Sequence, residues 1–191
     1  MNIDNNNNSF LSGQCIVSTP NMEDSRFEHA VIFVCAHSKD GAMGIMINRK
    51  IEQVTFSDLL EQLELFPSKD ILINDVLYGG PVETIRGFVI HSSDYRQSGT
   101  LLLNDNIALT ATIDILKELA NGKGPKNALI ALGYAGWAPE QLENELKQNS
   151  WISLPADPEL LFNTPVDKKW ETAYSKIGID PSMLSSSGGN A

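Results

Sequence analysis

The sequence predicts an α+β fold, in which helices pack against a mixed β-sheet. Strand-like segments cluster in the first half of the chain and helix-like segments in the second, without regular βαβ alternation or the even spacing of an all-β fold. Two apolar runs, 30–36 and 127–134, do not alternate with polar residues, which is typical of central strands buried on both faces. No linker or repeat interrupts residues 10–184, so we expect one domain.

The strands are predicted from β-prone or apolar composition. Residues 30–36 and 42–48 are expected to form a hairpin, because Asp40-Gly41 tolerates the positive φ of a tight turn. Polar composition predicts a disordered leader at residues 1–9 and a flexible tail at 185–191. The other expected strands are 14–18, 71–78, 86–91, 101–103, 107–110 and 127–134.

Four helices are predicted from capping signals and helix breakers. Thr55 and Asp58 have the spacing of a capping box, and Pro67 bars continuation of this first helix. The other three are expected to begin at Thr112, Pro139 and Thr164-Pro165 and to end at Gly122, Gln148 and Gly178.

The chain is acidic, with 14 Lys and Arg against 24 Asp and Glu and a formal net charge of −10. Binding to nucleic acid depends on clustered basic side chains, which the sequence lacks, and an anionic membrane surface is disfavoured for the same reason. No apolar run approaches the roughly 20 residues of a membrane span. We therefore expect neither nucleic acid nor a membrane as a direct partner.

The two cysteines, Cys15 and Cys35, are too few to form a disulfide framework. The first residues lack the basic and apolar regions of a secretory signal. Both features favour reduced thiols and a cytoplasmic location.

Cys35 and His37 are the first candidate site. Residues i and i+2 of a strand point to the same side, so the imidazole can activate the thiol as a nucleophile or as a redox sensor. Alternatively, Cys35 fills a β core and His37 lies at the mouth of the strand. The spacing shows neither an orienting group nor an oxyanion site, so both interpretations stay open.

A second candidate is the glycine-rich segment 132–140, which contains Gly133, Tyr134, Gly136 and Trp137 and runs from a strand into the start of a helix. Free N–H groups at a helix start can hold an anion. The alternative is a tight strand-to-helix turn with Trp137 packed under it.

A third group comprises Asn48-Arg49, Gly79-Gly80-Pro81, Arg86 and His91, at predicted strand ends. An arginine fork beside glycines can bind a carboxylate or a phosphate. The same residues can equally pair with acidic side chains and turn the chain.

Metal and cofactor sites are not expected. His29, His37 and His91 are scattered, and the sequence has no Cys-x-x-Cys or His-x-x-x-His spacing. The glycine-rich segments lack the Lys-Ser/Thr of a phosphate-binding P-loop and the three-glycine dinucleotide pattern.

Taken together, several blocks resemble the YqgE/AlgH family of bacterial proteins from about Gly13 to Leu184. Ala36, between the Cys and His, stands where an acidic residue is usual in the family, and Lys50 stands where Pro commonly follows Arg49. The blocks that carry the resemblance are Cys35-Ala36-His37, Gly41 to Arg49, Tyr78-Gly79-Gly80-Pro81-Val82, Arg86 to His91, Leu132 to Trp137, Leu160 to Pro165 and Gly178-Ile179-Asp180-Pro181.

The resemblance implies one α+β domain with a bifurcated, partly barrel-like sheet surrounded by helices. It implies no established enzymatic activity and no cofactor, and the AlgH side of the name carries a link to transcriptional regulation. We therefore expect a non-catalytic binding or regulatory protein, with a protein or a small anionic ligand as its partner. The alternatives are a thiol-dependent enzyme or redox sensor that uses Cys35 with His37, and a DNA-binding regulator, which the net charge disfavours.

Overall fold

The computed structural model describes residues 10–67 and 73–184. The predicted leader, the predicted tail and the first two residues of the strand predicted at 71–78 lie outside the described residues. The strands are β1 (Gln14–Ser18), β2 (Val31–Ser38), β3 (Gly41–Met46), β4 (Lys50–Thr55), β5 (Asp75–Tyr78), β6 (Val82–Ser92), β7 (Leu101–Leu102), β8 (Ile107–Thr110), β9 (Ala128–Trp137) and β10 (Trp151–Pro155).

The helices lie mainly in the second half of the chain, as predicted. Short 3-10 turns at Ser25–Phe27, Val166–Lys168 and Pro181–Leu184 and a π-helical turn at Glu159–Asn163 complete the regular structure of the described residues. The α-helices are α1 (Phe56–Gln62), α2 (Ile113–Ala120), α3 (Gln141–Lys147) and α4 (Lys169–Ile177).

The ten strands of the described residues join one sheet, whose main path runs β10-β1-β2-β3-β9-β6-β8-β7, with β4 and β5 on a side branch. The β5–β9 pair is parallel and the other pairs are antiparallel. The predicted α+β fold with a mixed sheet is therefore confirmed.

The sheet divides at β9. Along one edge of β9, its first half pairs with β5, as in Tyr78↔Leu132, and its second half pairs with β3, as in Ala42↔Trp137. The other edge of β9 pairs with β6. The sheet is therefore bifurcated, as the family resemblance implied.

The division depends on a close contact between two stretches of backbone, which we name the glycine crossing: Gly79 and Gly80 against Gly133. A Cβ atom on Gly79 would lie 2.2 Å from the Gly133 carbonyl oxygen, and one on Gly80 would lie 2.2 Å from the carbonyl carbon of Tyr134. Gly133 has a φ of +77°, which other residues rarely adopt. A side chain at any of the three positions therefore separates the two backbones.

Hydrogen bonds tie the crossing to both branches of the sheet. The Gly79 N–H donates to the Leu132 carbonyl of β9 at 2.8 Å, and the Gly79 carbonyl accepts from the Met46 N–H of β3 at 2.8 Å. Gly79 therefore continues the β5–β9 pairing on one side and meets the end of β3 on the other.

Three apolar clusters surround the sheet. The main core cluster includes Phe33 and Cys35 of β2 and Tyr174 of α4. The α3 cluster contains Leu142 and Trp137, and a third cluster includes buried side chains of α1 and α2. Each α-helix thus covers part of the sheet with its apolar side.

Capping residues were predicted at the starts of α1 and α4, and only the cap of α1 is present. The capping box is confirmed, because the Asp58 N–H donates to Thr55 Oγ1 at 3.2 Å and the Thr55 N–H donates to Asp58 Oδ2 at 2.7 Å. The predicted cap at Thr164 is wrong. Its hydroxyl donates to the Glu159 carbonyl at the end of the π-helical turn, and α4 begins only at Lys169.

Other differences concern strand length and helix start. Strand β9 continues through Gly133 to Trp137, so the strand-to-helix turn predicted within this segment is wrong. Helix α3 begins at Gln141 rather than Pro139, because Glu140 has a left-handed φ of +63°. The sequence analysis did not predict strands β4 and β10, because their exposed or mixed composition shows no clear strand pattern.

None of the helices in residues 10–67 and 73–184 has the length and apolar character needed to cross a membrane.

Replacing Gly133 by alanine tests the glycine crossing. The new Cβ would lie 2.5 Å from the Gly80 carbonyl oxygen, so we expect a loss of more than about 3 kcal/mol in the free energy of unfolding. Gly178→Ala is the control, because Gly178 has a similar φ of +69° but nothing within 4 Å of a Cβ. It should cost about 1 kcal/mol. Equal losses in urea denaturation would show that the crossing adds nothing beyond the backbone conformation.

Candidate functional site

Gly136 and Trp137 line an open cavity of ≈850 Å³ on the surface, and this cavity is called the groove from here on. One wall is the segment between β1 and β2, the other wall is α3, and the floor is the end of β9 with the start of β6. The residues that line it are 20–24, 26, 27, 81, 82, 136, 137, 141, 145, 148 and 150.

Glu145 is fixed at the centre of the α3 wall by three donors. The indole N–H groups of Trp137 and Trp151 donate to its Oε2 atom at 2.9 and 2.8 Å, and Gln141 donates to its Oε1 atom at 2.8 Å. The two indole rings meet edge to face, with centroids 6.1 Å apart. The groove therefore has a carboxylate held in one orientation by aromatic side chains.

The charges that line the groove are mainly negative. The lining has three carboxylates and one cationic side chain, which are Glu23, Asp24 and Glu145 and Arg26 respectively. Arg26 pairs with Asp24 at 2.7 Å, and its hydrogen bonds hold the pKa of that carboxyl below its ordinary value. Because the guanidinium is already paired, the groove does not favour the small anionic ligand expected from the sequence.

Asn48 and Arg49 position a wall of the groove without lining it. The Asn48 amide donates to the His29 carbonyl at 2.7 Å. The Arg49 guanidinium donates to the carbonyls of Arg26 and Glu28 at 2.7 and 3.2 Å. Both side chains therefore hold the segment between β1 and β2, in place of the predicted contact with a carboxylate or phosphate.

The remaining candidates of the second and third groups lie elsewhere. The glycine crossing is filled by backbone and lines none of the described pockets. Arg86 is exposed, pairs with Glu83 at 3.1 Å and lies over the ring of Phe88. Tyr134 packs edge to face on Phe88, with ring centroids 6.0 Å apart.

A β-bulge separates Cys35 from His37. The pairing of β2 with β3 shifts between Val34 and Ala36, so Cys35 is the extra residue and the side-chain alternation changes there. Cys35 lies in the main core cluster, whereas His37 pairs with Ala42, a member of the α3 cluster. The expectation that both point to the same side is therefore wrong.

His37 contacts α3 and the start of the described chain. Its Nδ1 atom accepts from the Leu11 N–H at 3.1 Å, which leaves the proton of the neutral ring on Nε2. The Nε2 atom lies 3.1 Å from Glu143 Oε1 without a hydrogen bond of favourable geometry. His37 thus connects β2 to Glu143 of α3.

The Cys35 thiol is buried and donates to the Phe33 carbonyl at 3.6 Å. Burial raises the pKa of Cys35 to about 12, and burial also raises the pKa of the Cys15 thiol. A thiolate nucleophile needs the opposite shift. The geometry therefore provides no activated thiol at Cys35.

Sequence reasoning missed Glu145, which lines the groove, and Trp151, which donates to Glu145 from behind the lining. Gln141 and Glu145 lie four residues apart in a helix that follows Trp137, which places them on one helix face. That spacing is the available signal, but nothing in it indicates two indole donors. No group of three or more His, Cys, Asp or Glu residues in the described ranges is arranged to hold a metal ion.

The comparisons with known proteins agree with this fold. The profile of the AlgH-like family matches residues 15–182. The chain belongs to the AlgH-like family. A UPF0301 protein of Rhodospirillum rubrum is 50% identical over 182 residues, covering 95% of each chain. A UPF0301 protein of Nitrobacter hamburgensis is 51% identical over 191 residues, covering 96% of this chain and 88% of that protein.

Two solved structures share the fold. The solution structure of the AlgH protein from Pseudomonas aeruginosa is 38% identical, with a TM-score of 0.77, and covers 96% of this chain and 97% of its own. The crystal structure of protein DIP2367 from Corynebacterium diphtheriae has a TM-score of 0.73 over 92% of this chain and 91% of its own. The two sequences are 19% identical, so this similarity concerns the fold alone.

Thiol accessibility tests the assignment of both cysteines to the core. We expect the folded protein to react with Ellman's reagent at pH 8 only as fast as it unfolds, because both thiols are buried and protonated. The same protein in denaturant should release two equivalents promptly. A fast phase in the native protein that Cys35→Ala removes would contradict this assignment.

Replacing Glu145 by glutamine tests the fixed carboxylate. A glutamine can keep its oxygen on the two indoles, but its NH₂ group then faces the NH₂ group of Gln141, whose own oxygen already accepts from the Ala138 N–H. One donor is therefore left without an acceptor, and we expect a loss of about 1–3 kcal/mol in the free energy of unfolding. Glu171→Gln is the control, because Glu171 is exposed and its carboxylate pairs with Lys168 at 3.5 Å. It should cost no more than about 1 kcal/mol. Equal effects in denaturation curves would mean that the indole hydrogen bonds contribute little.

Proposed function

We propose that this AlgH-like chain is a non-catalytic binding protein of the cytoplasm, with a regulatory role. Its groove would bind a basic or neutral segment of a partner protein. The observation that carries this proposal is the fixed carboxylate of Glu145, set among aromatic rings in a groove of excess negative charge.

The lining of the groove has the chemistry of a peptide site. The partly exposed ring of Phe27, which packs edge to face on Trp151, offers apolar contact area, and the nearly buried indole of Trp137 forms part of the floor beside it. Asn21, Gln141 and the acidic side chains offer hydrogen-bond acceptors to lysine and arginine. An anionic peptide would meet three carboxylates there and is therefore disfavoured.

The two other functional hypotheses have weaker support. A thiol enzyme would need Cys35 ionised and within reach of His37, whereas the bulge separates the two and burial keeps the thiol protonated. Direct binding to DNA would have to overcome the net charge of −10. A role in transcription would accordingly act through a protein partner.

The tryptophan indole N–H signals provide a local test in an NMR titration of the ¹⁵N-labelled full chain. We expect octalysine to shift the indole signals of Trp137 and Trp151, which donate to Glu145, and to leave that of Trp170 unchanged. Trp170 serves as an internal reference because its indole donates to the Ser18 carbonyl, outside the groove. Octaglutamate should shift none of the three.

A matched pair of charge reversals separates the groove from the general acidity of the chain. Glu23→Lys, in the groove wall, should weaken octalysine binding by about fivefold, and Glu52→Lys, on β4, by less than about twofold. Both variants change the net charge equally. Equal effects of the two reversals, or no indole shift with octalysine at low salt, would contradict the proposed groove function.

A further inference from the structure

A second cavity, of ≈450 Å³, lies between the starts of β5 and β9 and the residues that follow the π-helical turn. Its charged lining consists of Lys50, Lys126 and Lys169 against Asp75 and Asp167. The lining is therefore net positive by one charge, in a chain whose net charge is −10. The groove, by contrast, has three acidic side chains and one basic side chain.

Lys169 forms part of the inner wall of this cavity. Its side chain is almost completely buried, with 1% of the residue exposed. The ammonium donates to the Leu160 carbonyl at 2.8 Å and to the Leu161 carbonyl, which the π-helical turn presents side by side. The third N–H bond has no acceptor among the residues that the structure describes.

The charge on Lys169 has no counter-ion in the described chain. Both acceptors are neutral carbonyls, and no carboxylate there lies within 4 Å of the ammonium. Burial lowers the pKa of Lys169 to about 8, so the ammonium is still mainly protonated at pH 7. A buried charge without a partner is costly, and an anion in the cavity would compensate it.

Lys126 brings a second charge to the rim. Its side chain is exposed, and it forms no ion pair within 4 Å in residues 10–67 and 73–184. Its backbone N–H donates to Asp94 Oδ2 at 3.3 Å. Lys50, in contrast, is already paired with Asp75 at 2.8 Å. Among the described residues, the cationic groups of the cavity without an ion pair within 4 Å are thus Lys169 and Lys126, the latter acting on Asp94 only over a longer distance.

We propose that this cavity binds the oxyanion group, a carboxylate or a phosphate, of a small metabolite, with Lys169 donating from the inner wall and Lys126 from the rim. The side-chain amides of Asn74 and Asn127 line the same cavity and supply further donors. The site shares no lining residue with the groove, so the outcome of its test does not depend on the proposed peptide function.

The test uses the full chain with ¹⁵N-labelled lysine side chains and two probes, malonate and inorganic phosphate. Each probe is titrated at pH 7 against sodium chloride of equal ionic strength. We expect at least one probe to shift the Lys169 ammonium signal saturably, below about 50 mM. A response to malonate alone identifies a carboxylate site, and a response to phosphate alone identifies a phosphate site.

The variant Lys126→Met should weaken binding of the responding probe by about fivefold or more. Lys123→Met is the matched control, because Lys123 is an exposed lysine outside the cavity, and it should leave the affinity unchanged. The Lys169 signal is observed in the unmodified protein, so that part of the test does not depend on a variant that folds. No saturable shift with either probe, or equal weakening by both variants, would overturn the proposal.

Discussion

The contact of Gly79 and Gly80 with the backbone at Gly133 is the constraint on which the rest of the structure depends. At this point β9 exchanges one neighbour for another, pairing with β5 before the crossing and with β3 after it. Two backbones approach this closely only where no Cβ projects into the contact. The divided sheet follows from that approach.

Both proposed sites lie along β9, on either side of the crossing. The end of β9, after the crossing, forms the floor of the groove with Pro81 and Val82. The start of β9, before the crossing, forms part of the cationic cavity together with β5. One strand therefore supplies a surface to an acidic site and to a basic site, and the opposite charges come from the elements that cover it.

The sequence predicted the features that depend on neighbouring residues. The capping box at Thr55 and Asp58 and the hairpin of β2 with β3 arise from local hydrogen bonds and turn geometry, which a short window of sequence contains. The bulge at Cys35 and the burial of Lys169 depend on partners elsewhere in the fold, so strand and helix periodicity did not reveal them. The same reason explains why Glu145 was missed: its importance comes from indoles of two different strands.

Native-state hydrogen exchange of the amides of Gly79 and Met46 tests the role of the crossing most directly. Their hydrogen bonds, to the carbonyls of Leu132 and Gly79, join the crossing to β9 and β3. If the divided sheet depends on this contact, both amides should exchange only by global unfolding, with an exchange free energy equal to the free energy of unfolding from denaturation. Exchange of either amide through local opening, at a free energy lower by about 2 kcal/mol or more, would show that the two branches persist without the crossing.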